Sequence, residues 1–193
     1  AIRFSTVLDF AIDGDTLASI AKNADLTKHV SRERIRDEFI KIIKENNINI
    51  EFVISKSVYE LCELKFNFIY PNRSLIGEEF QNVNNSSIVF YVNVRGVKLW
   101  FGGDAELEEE QYLYDLLEGV DIDIYKASHH GSKTSNSERL LKMITPKIMV
   151  ISAGKNNTYN HPHFETIQTA NNLGIEIYRT DQNGTVTFLL SAE

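Results

Sequence analysis

From Ser86 onward the chain repeats one arrangement, an apolar run of strand length followed at once by a polar break rich in glycine or histidine. No other feature limits the fold as much. "SSIVFYVNV" and "VKLWF" flank Arg95-Gly96, the signature of a tight hairpin between buried partners. "VDIDIYKA" predicts a strand, "SERLLKMI" a helix closed by Pro146, and "KIMVIS" a strand. "HFETIQTANNLG" predicts a helix ended by Gly174, "IEIYRT" a strand, and "TVTFLL" a last strand entered through the turn Asp181-Gln182-Asn183-Gly184. Hairpins in the middle and strand–helix alternation in the last third call for a mixed sheet, or two packed sheets, with helices outside.

The front of the chain differs. In "SRERIRDEFIKIIKENN" Ile35, Phe39, Ile42 and Ile43 fall on one helical stripe, with Ser31 as the N-cap. "INIEFVIS" and "CELKFNFIYP" then read as strands, the second closed by Pro71 and Asn72. "ELEEEQYLYDLLEG" predicts an amphipathic helix with acidic residues at its dipole-favoured start and Gly119 at its end. A hydrophobic content of 42% among 193 residues is enough to bury a core in a single domain. The net charge of −7 excludes a protein that coats nucleic acid by charge alone, though bound cations can supply positive charge locally. The single cysteine, Cys62, has no partner for an internal disulfide and is expected to be a small buried hydrophobe. No apolar run approaches the roughly 20 residues of a membrane span, so no membrane contact is expected of the chain, and a cytoplasmic location is favoured unless it belongs to a membrane-embedded parent.

Three polar clusters follow strands. Asp104 closes "WFGGD"; a carboxylate there either caps the following helix or binds a cation. "SHHGS" carries His129, His130 and Ser132, and "SAGKNNTYNHPHFE" carries Tyr159, His161 and His163. A lone loop histidine is ordinarily a surface residue. Four of the five histidines, however, lie between His129 and His163, with Asp104 at the end of a neighbouring strand. Strand ends on one sheet edge converge in space, and imidazole and carboxylate are the ligands of ions that activate water. Jointly the clusters point to a metal or phosphate site.

"NNSSIVFYVNVRGVKLWFGGDAELEEE", "IDIYKASHHGSKTS", "PKIMVISAGKNNTYNHPH" and "IYRTDQNGTVTF" together resemble the metallo-β-lactamase-like domain of the ComEC/Rec2 competence proteins, in the same order from about residue 48 to 190. The resemblance implies an αββα sandwich, incomplete at its N-terminal side, spanning residues 1–193 as one domain, with 1–48 a helical front part and 49–193 the family-like part. It implies Asp104 as the metal-bridging aspartate and the His129-His130 pair as the later histidine ligand position. Chain order favours His129 as the ligand, but the sequence does not choose between the two, and the other then serves as acid or substrate contact. Asn84 and Ser87 match the family's Asn-x-x-Ser loop beside the site. Ser132 and Thr134 fit phosphate contacts, Tyr159 and His161 match the Tyr-x-His-Pro loop over the pocket, and His163 is either a rim residue or a polar helix start.

The family's first motif, His-x-His-x-Asp-His or His-x-Asp-x-Asp-His, is missing. His29 in "LTKHVSRE" is the only histidine before residue 129 and nothing around it matches. The chain starts at Ala1 rather than methionine, so the expectation is that those ligands lie in a front part of a longer protein. The implied chemistry is hydrolysis of DNA or another phosphodiester with zinc or manganese, two ions if the missing motif exists. Asp104, His130 and His161 would carry the catalysis, and Asn84, Ser87, Ser132, Thr134, Tyr159 and His163 the substrate contacts. The rival reading is a degenerate member that keeps the fold as a binding or regulatory module; a lactone or thioester hydrolase is a third.

Overall fold

The computed structural model describes residues 2–4, 32–48, 52–61, 64–76 and 80–190. His29, Ser31 and Cys62, on which three expectations fall, lie outside the described residues. The chain divides into two compact units, residues 9–52 and residues 1–8 with 53–193. The smaller unit contains helix α1, Arg32–Glu45, where the periodic stripe predicted it. Of that stripe Ile43 is buried while Phe39 is exposed.

The larger unit is built on a seven-stranded mixed sheet in the order β2-β3-β4-β5-β6-β7-β8. Strands β2 (Val58–Leu61), β3 (Leu64–Tyr70), β4 (Val89–Val94) and β5 (Val97–Phe101) run antiparallel. Strands β5, β6 (Ile124–Lys126), β7 (Ile148–Ile151) and β8 (Glu176–Arg179) run parallel. The predicted hairpin closes with Val94 opposite Val97, both central residues having positive φ, +53° at Arg95 and +84° at Gly96, as a two-residue turn matched to strand twist requires. Strand β1 (Ile2–Phe4) pairs antiparallel with β9 (Val186–Phe188) in a separate two-stranded sheet.

Alternation along each strand sends neighbouring residues to opposite faces. Trp100, Tyr125, Met149 and Ile151 pack on one face with Leu113, Leu117, Leu140, Leu141, Ile144 and Ala170. These partners come from the segment after α2 (Leu107–Glu110), from α3 (Glu138–Ile144) and from α4 (Phe164–Asn172). Val92, Leu99, Ile124 and Val150 form the opposite face, where Phe66, Phe101 and Phe188 of β9 pack. The result is the expected mixed α/β class, with helices outside and a second sheet on the inner face.

Two segments depart from expectation. The helix predicted over "ELEEEQYLYDLLEG" is regular only over Leu107–Glu110 and then tightens into i→i+3 turns, Leu113 N–H reaching Glu110 O at 3.1 Å and Leu116 N–H reaching Leu113 O at 2.9 Å. Tertiary bonds override the amphipathic pattern: Glu109 and Glu110 are buried instead of facing water, and Glu110 Oε1 accepts Asn136 N–H at 2.7 Å. In "INIEFVIS", the described residues 52–55 form no regular strand, and the chain turns just after them, with Lys56 at φ +66°. The ladder starts only at Val58.

Candidate functional site

Strands β5, β6 and β7 are parallel neighbours, so the loops after them leave the same sheet edge. This brings the three polar clusters together. The first two loops touch backbone to backbone, His129 N–H donating to Gly103 O at 3.0 Å. The approach demands glycine at position 102, where a Cβ would lie 2.0 Å from Ser128 Oγ. The third loop docks on the second through His163 N–H to Gly131 O at 3.0 Å and Lys133 N–H to His163 Nδ1 at 3.1 Å.

The tandem histidines share an unusual backbone. His129 (φ 47°, ψ 45°) and His130 (φ 55°, ψ 25°) are both left-handed, a conformation that costs a non-glycine residue about 1–2 kcal/mol. It turns consecutive side chains toward different partners. His130 Nδ1 lies 2.8 Å from Ser152 O. A carbonyl only accepts, so Nδ1 carries a proton, and in the neutral ring Nε2 keeps the lone pair. That Nε2 is 4.0 Å from Asp104 Oδ1, with both side chains about half exposed. Asp104 is fixed from behind by its own N–H, which donates to Ser87 Oγ at 3.1 Å.

His129 faces a different group. Its Nδ1 is 3.1 Å from Glu106 Oε1, yet the angle is poor for a hydrogen bond and the buried nitrogen has no other partner. Glu106 is itself held by Asn84 Nδ2 at 2.9 Å and Asn82 Nδ2 at 3.2 Å. Sequence reasoning passed over Glu106 and Asn82; the only signal was that Glu106 follows two residues after Asp104 in the quoted motif.

His161 sits among the other rings, with centroids 5.4 Å from His129, 6.3 Å from His130 and 4.8 Å from His163. Burial, followed by the neighbouring imidazoles of His163, His129 and His130, pulls its pKa below the ordinary histidine value. Tyr159 is exposed and stacks on His161 at 5.8 Å and 24°. Thus Asp104, His129, His130, His161, His163 and Tyr159 are all gathered at one edge. Ser132 is buried, and its hydroxyl is 3.0 Å from Thr134 Oγ1. Asn84 spends its side-chain amide on Glu106 and Ser87 its oxygen on Asp104.

The donor chemistry suits part of an ion's shell. A histidine that gives one N–H to a carbonyl and aims its other nitrogen outward is the usual form of a metal-bound imidazole. Bonds of about 2 Å from Nε2 and from a carboxylate oxygen nearly span the observed gap. Two donors do not complete a site, since catalytic zinc takes three protein ligands. Among the described residues no group of three or more His, Cys, Asp or Glu is placed to hold a metal ion. Nor, among those residues, is any helix long and apolar enough to cross a membrane.

ComE operon protein 3 of Bacillus subtilis (strain 168) is 34% identical to this chain over 152 residues, which are 79% of this chain and 19% of that protein. Recombination protein 2 of Haemophilus influenzae and competence protein ComA of Neisseria gonorrhoeae are further relatives. This chain is a homologue of the competence proteins. It spans less than a fifth of the length of those competence proteins. A solved structure described as a metal-dependent hydrolase, from Parabacteroides distasonis, has a TM-score of 0.46 and 14% identity, covering 73% of this chain and 61% of that one. The front of the chain has a second likeness. Residues 9–71 match the family described as "Probable RNA and SrmB- binding site of polymerase A". The CCA-adding enzyme of Limosilactobacillus reuteri (strain DSM 20016) is 38% identical over 64 residues, 32% of this chain and 16% of that enzyme.

Proposed function

We propose that the competence-type part of this chain contributes one half of a divalent-cation site that hydrolyses DNA or another phosphodiester. The observation that carries this reading is His130, whose Nδ1 is bonded to Ser152 O at 2.8 Å while Nε2 faces Asp104 Oδ1 at 4.0 Å. In this reading Asp104 and His130 are the donors, His129 stands beside them, and the remaining ligands come from protein outside the described residues. Zinc or manganese, when bound, supplies Lewis acidity and the local positive charge that a chain of net −7 lacks.

The chain's own residues supply the rest. His161, kept neutral by burial and its imidazole neighbours, has a lone pair available to take a proton. Thr134 Oγ1 is exposed on the loop that carries the histidines, where a hydroxyl orients phosphate oxygens, and the buried Ser132 Oγ backs it at 3.0 Å. Tyr159 offers an exposed ring at the rim, and His163 steadies that rim through Lys133 N–H.

The test is phosphodiester hydrolysis by the intact parent protein with manganese or zinc. Asp104→Ala is expected to remove the ion-dependent activity and leave the protein folded; unchanged activity would refute the reading. The absence of a third donor among the described residues supports one rival, a cation-free binding module. That rival predicts no ion-dependent hydrolysis in the parent protein at all. For residues 9–71, the likeness to the polymerase family and to CCA-adding enzymes supports a separate RNA-contacting role, tested by tRNA binding to this chain.

A further inference from the structure

We infer that Asn136 holds the tandem histidines toward the site, as a positioning residue that acts through the backbone of residues 128–132. It stands outside the histidine motif, five residues beyond Gly131, and its side chain is buried. Its Oδ1 accepts Ser128 N–H at 2.8 Å and the Tyr125 hydroxyl at 3.0 Å. Its Nδ2 donates to Ser128 O and to Ser132 O, both at 3.1 Å. One amide therefore uses all four of its bonding directions, and three of them grip the backbone at the two ends of the segment carrying His129 and His130.

That segment needs such a grip. Two successive left-handed residues without glycine persist only where their surroundings over-determine them. Asn136 fixes both ends, and it is itself anchored in a left-handed turn (φ +64°) by its N–H to Glu110 Oε1 at 2.7 Å. Thr166 Oγ1 joins at Ser132 O, 3.1 Å away, and ties α4 to the same carbonyl. If the clamp is released, His130 has no reason to keep Nδ1 against Ser152 O. The consequence for catalysis rests on reading Asp104 and His130 as ion donors, whereas the control of loop conformation does not.

The experiment is imidazole and amide NMR on the ion-free chain. The native protein is expected to show His130 in a single Nδ1–H tautomer. Asn136→Gly keeps the positive φ and deletes the clamp; it is expected to lose that single-tautomer signature and to speed amide exchange at Ser132 by about tenfold, with the Val92 and Ile177 amide signals unmoved. Ile144→Val, a core loss away from the loop, is the control and is expected to move neither probe. Asn136→Gly with both probes native, or Ile144→Val shifting them as much, overturns the inference. Should Asn136→Gly fail to fold, Tyr125→Phe removes the phenol's bonds to Asn136 Oδ1 and to Ser128 Oγ and leaves the three backbone bonds of the amide in place. A smaller shift of the same two probes then upholds the clamp, and no shift overturns it. Zinc added to the native chain tests the other reading separately, since an unmoved His130 would count against ion binding and leave the clamp standing.

Discussion

Gly131→Ala should cost far more stability than Gly119→Ala, although both glycines have nearly the same backbone, φ +80° and +73°. An alanine at either position pays for left-handed geometry, about 1–2 kcal/mol. At Gly119 nothing lies within 4 Å of the added carbon, so the loss stops there. At Gly131 the new Cβ would sit 2.7 Å from Pro162 Cβ and 3.2 Å from Ile151 Cγ2. Neither neighbour is a flexible chain end: one is a ring and the other belongs to a fully buried side chain on β7. Overpacking of that kind costs about 1–3 kcal/mol, so the difference between the two variants should be about 1–3 kcal/mol.

Urea unfolding followed by Trp100 fluorescence measures it directly. With a slope of about 1–3 kcal/mol per molar, the two midpoints should separate by roughly 1 M. Losses equal within about 0.5 kcal/mol would refute the argument, because they would show that the loop bearing Pro162 does not press on the histidine loop. The site has a stake in the result, since His163 N–H is bonded to Gly131 O across the same contact.

Three further outcomes follow from other parts of the molecule. Zinc titration of this chain alone should show weak, substoichiometric binding that His130→Ala abolishes, because two donors face each other where three are needed; tight two-ion loading would mean the ligand set has been misassigned. Asp123 accepts Lys98 N–H at 2.9 Å and Lys147 Nζ at 2.7 Å, where β5, β6 and β7 begin to pair, and Asp123→Ala should cost about 1–3 kcal/mol in urea unfolding at neutral pH. Burial pushes the Asp123 pKa up, but the Lys147 and Lys98 bonds outweigh it and leave it below the ordinary 3.8; the stabilisation is therefore complete above that unfolded value and is lost as pH falls through the folded one, so the native and Asp123→Ala unfolding curves should converge in acid.

The sheet was legible because its signals were local. The Arg95-Gly96 turn between two apolar runs, and the strand–helix alternation after Gly119, each follow from a few adjacent residues, and the sheet order respects both. Convergence of the clusters was also legible, since parallel strands put successive loops on one edge. What local pattern could not reveal was which groups meet across that edge. Glu110 reads as a solvent-facing helix residue until Asn136 and Ser137 N–H groups claim it. Nothing local in "NNSS" reveals that the Asn84 amide meets Glu106 across the edge. The apolar run of "INIEFVIS" gives no hint that residues 52–55 stay outside the ladder.

The choice between His129 and His130 shows the same limit at a single dipeptide. Chain order favoured His129, and nothing in "SHHGS" distinguishes two identical side chains. Their left-handed backbone sends one Nδ1 to a carbonyl and the other toward a carboxylate. A carbonyl fixes the proton on Nδ1 and leaves Nε2 of His130 as a donor to a cation. His129 instead turns its Nδ1 to within 3.1 Å of the Glu106 carboxylate, without a hydrogen bond. The two histidines therefore face different partners, His130 the Asp104 carboxylate through Nε2 and His129 the Glu106 carboxylate through Nδ1. Glu106→Gln separates them: it should shift the ring-nitrogen signals of His129, which lies 3.1 Å from that side chain, and leave the tautomer of His130 as it was. A change in the His130 tautomer, read from its ring nitrogen shifts, would show instead that the pair works as one unit.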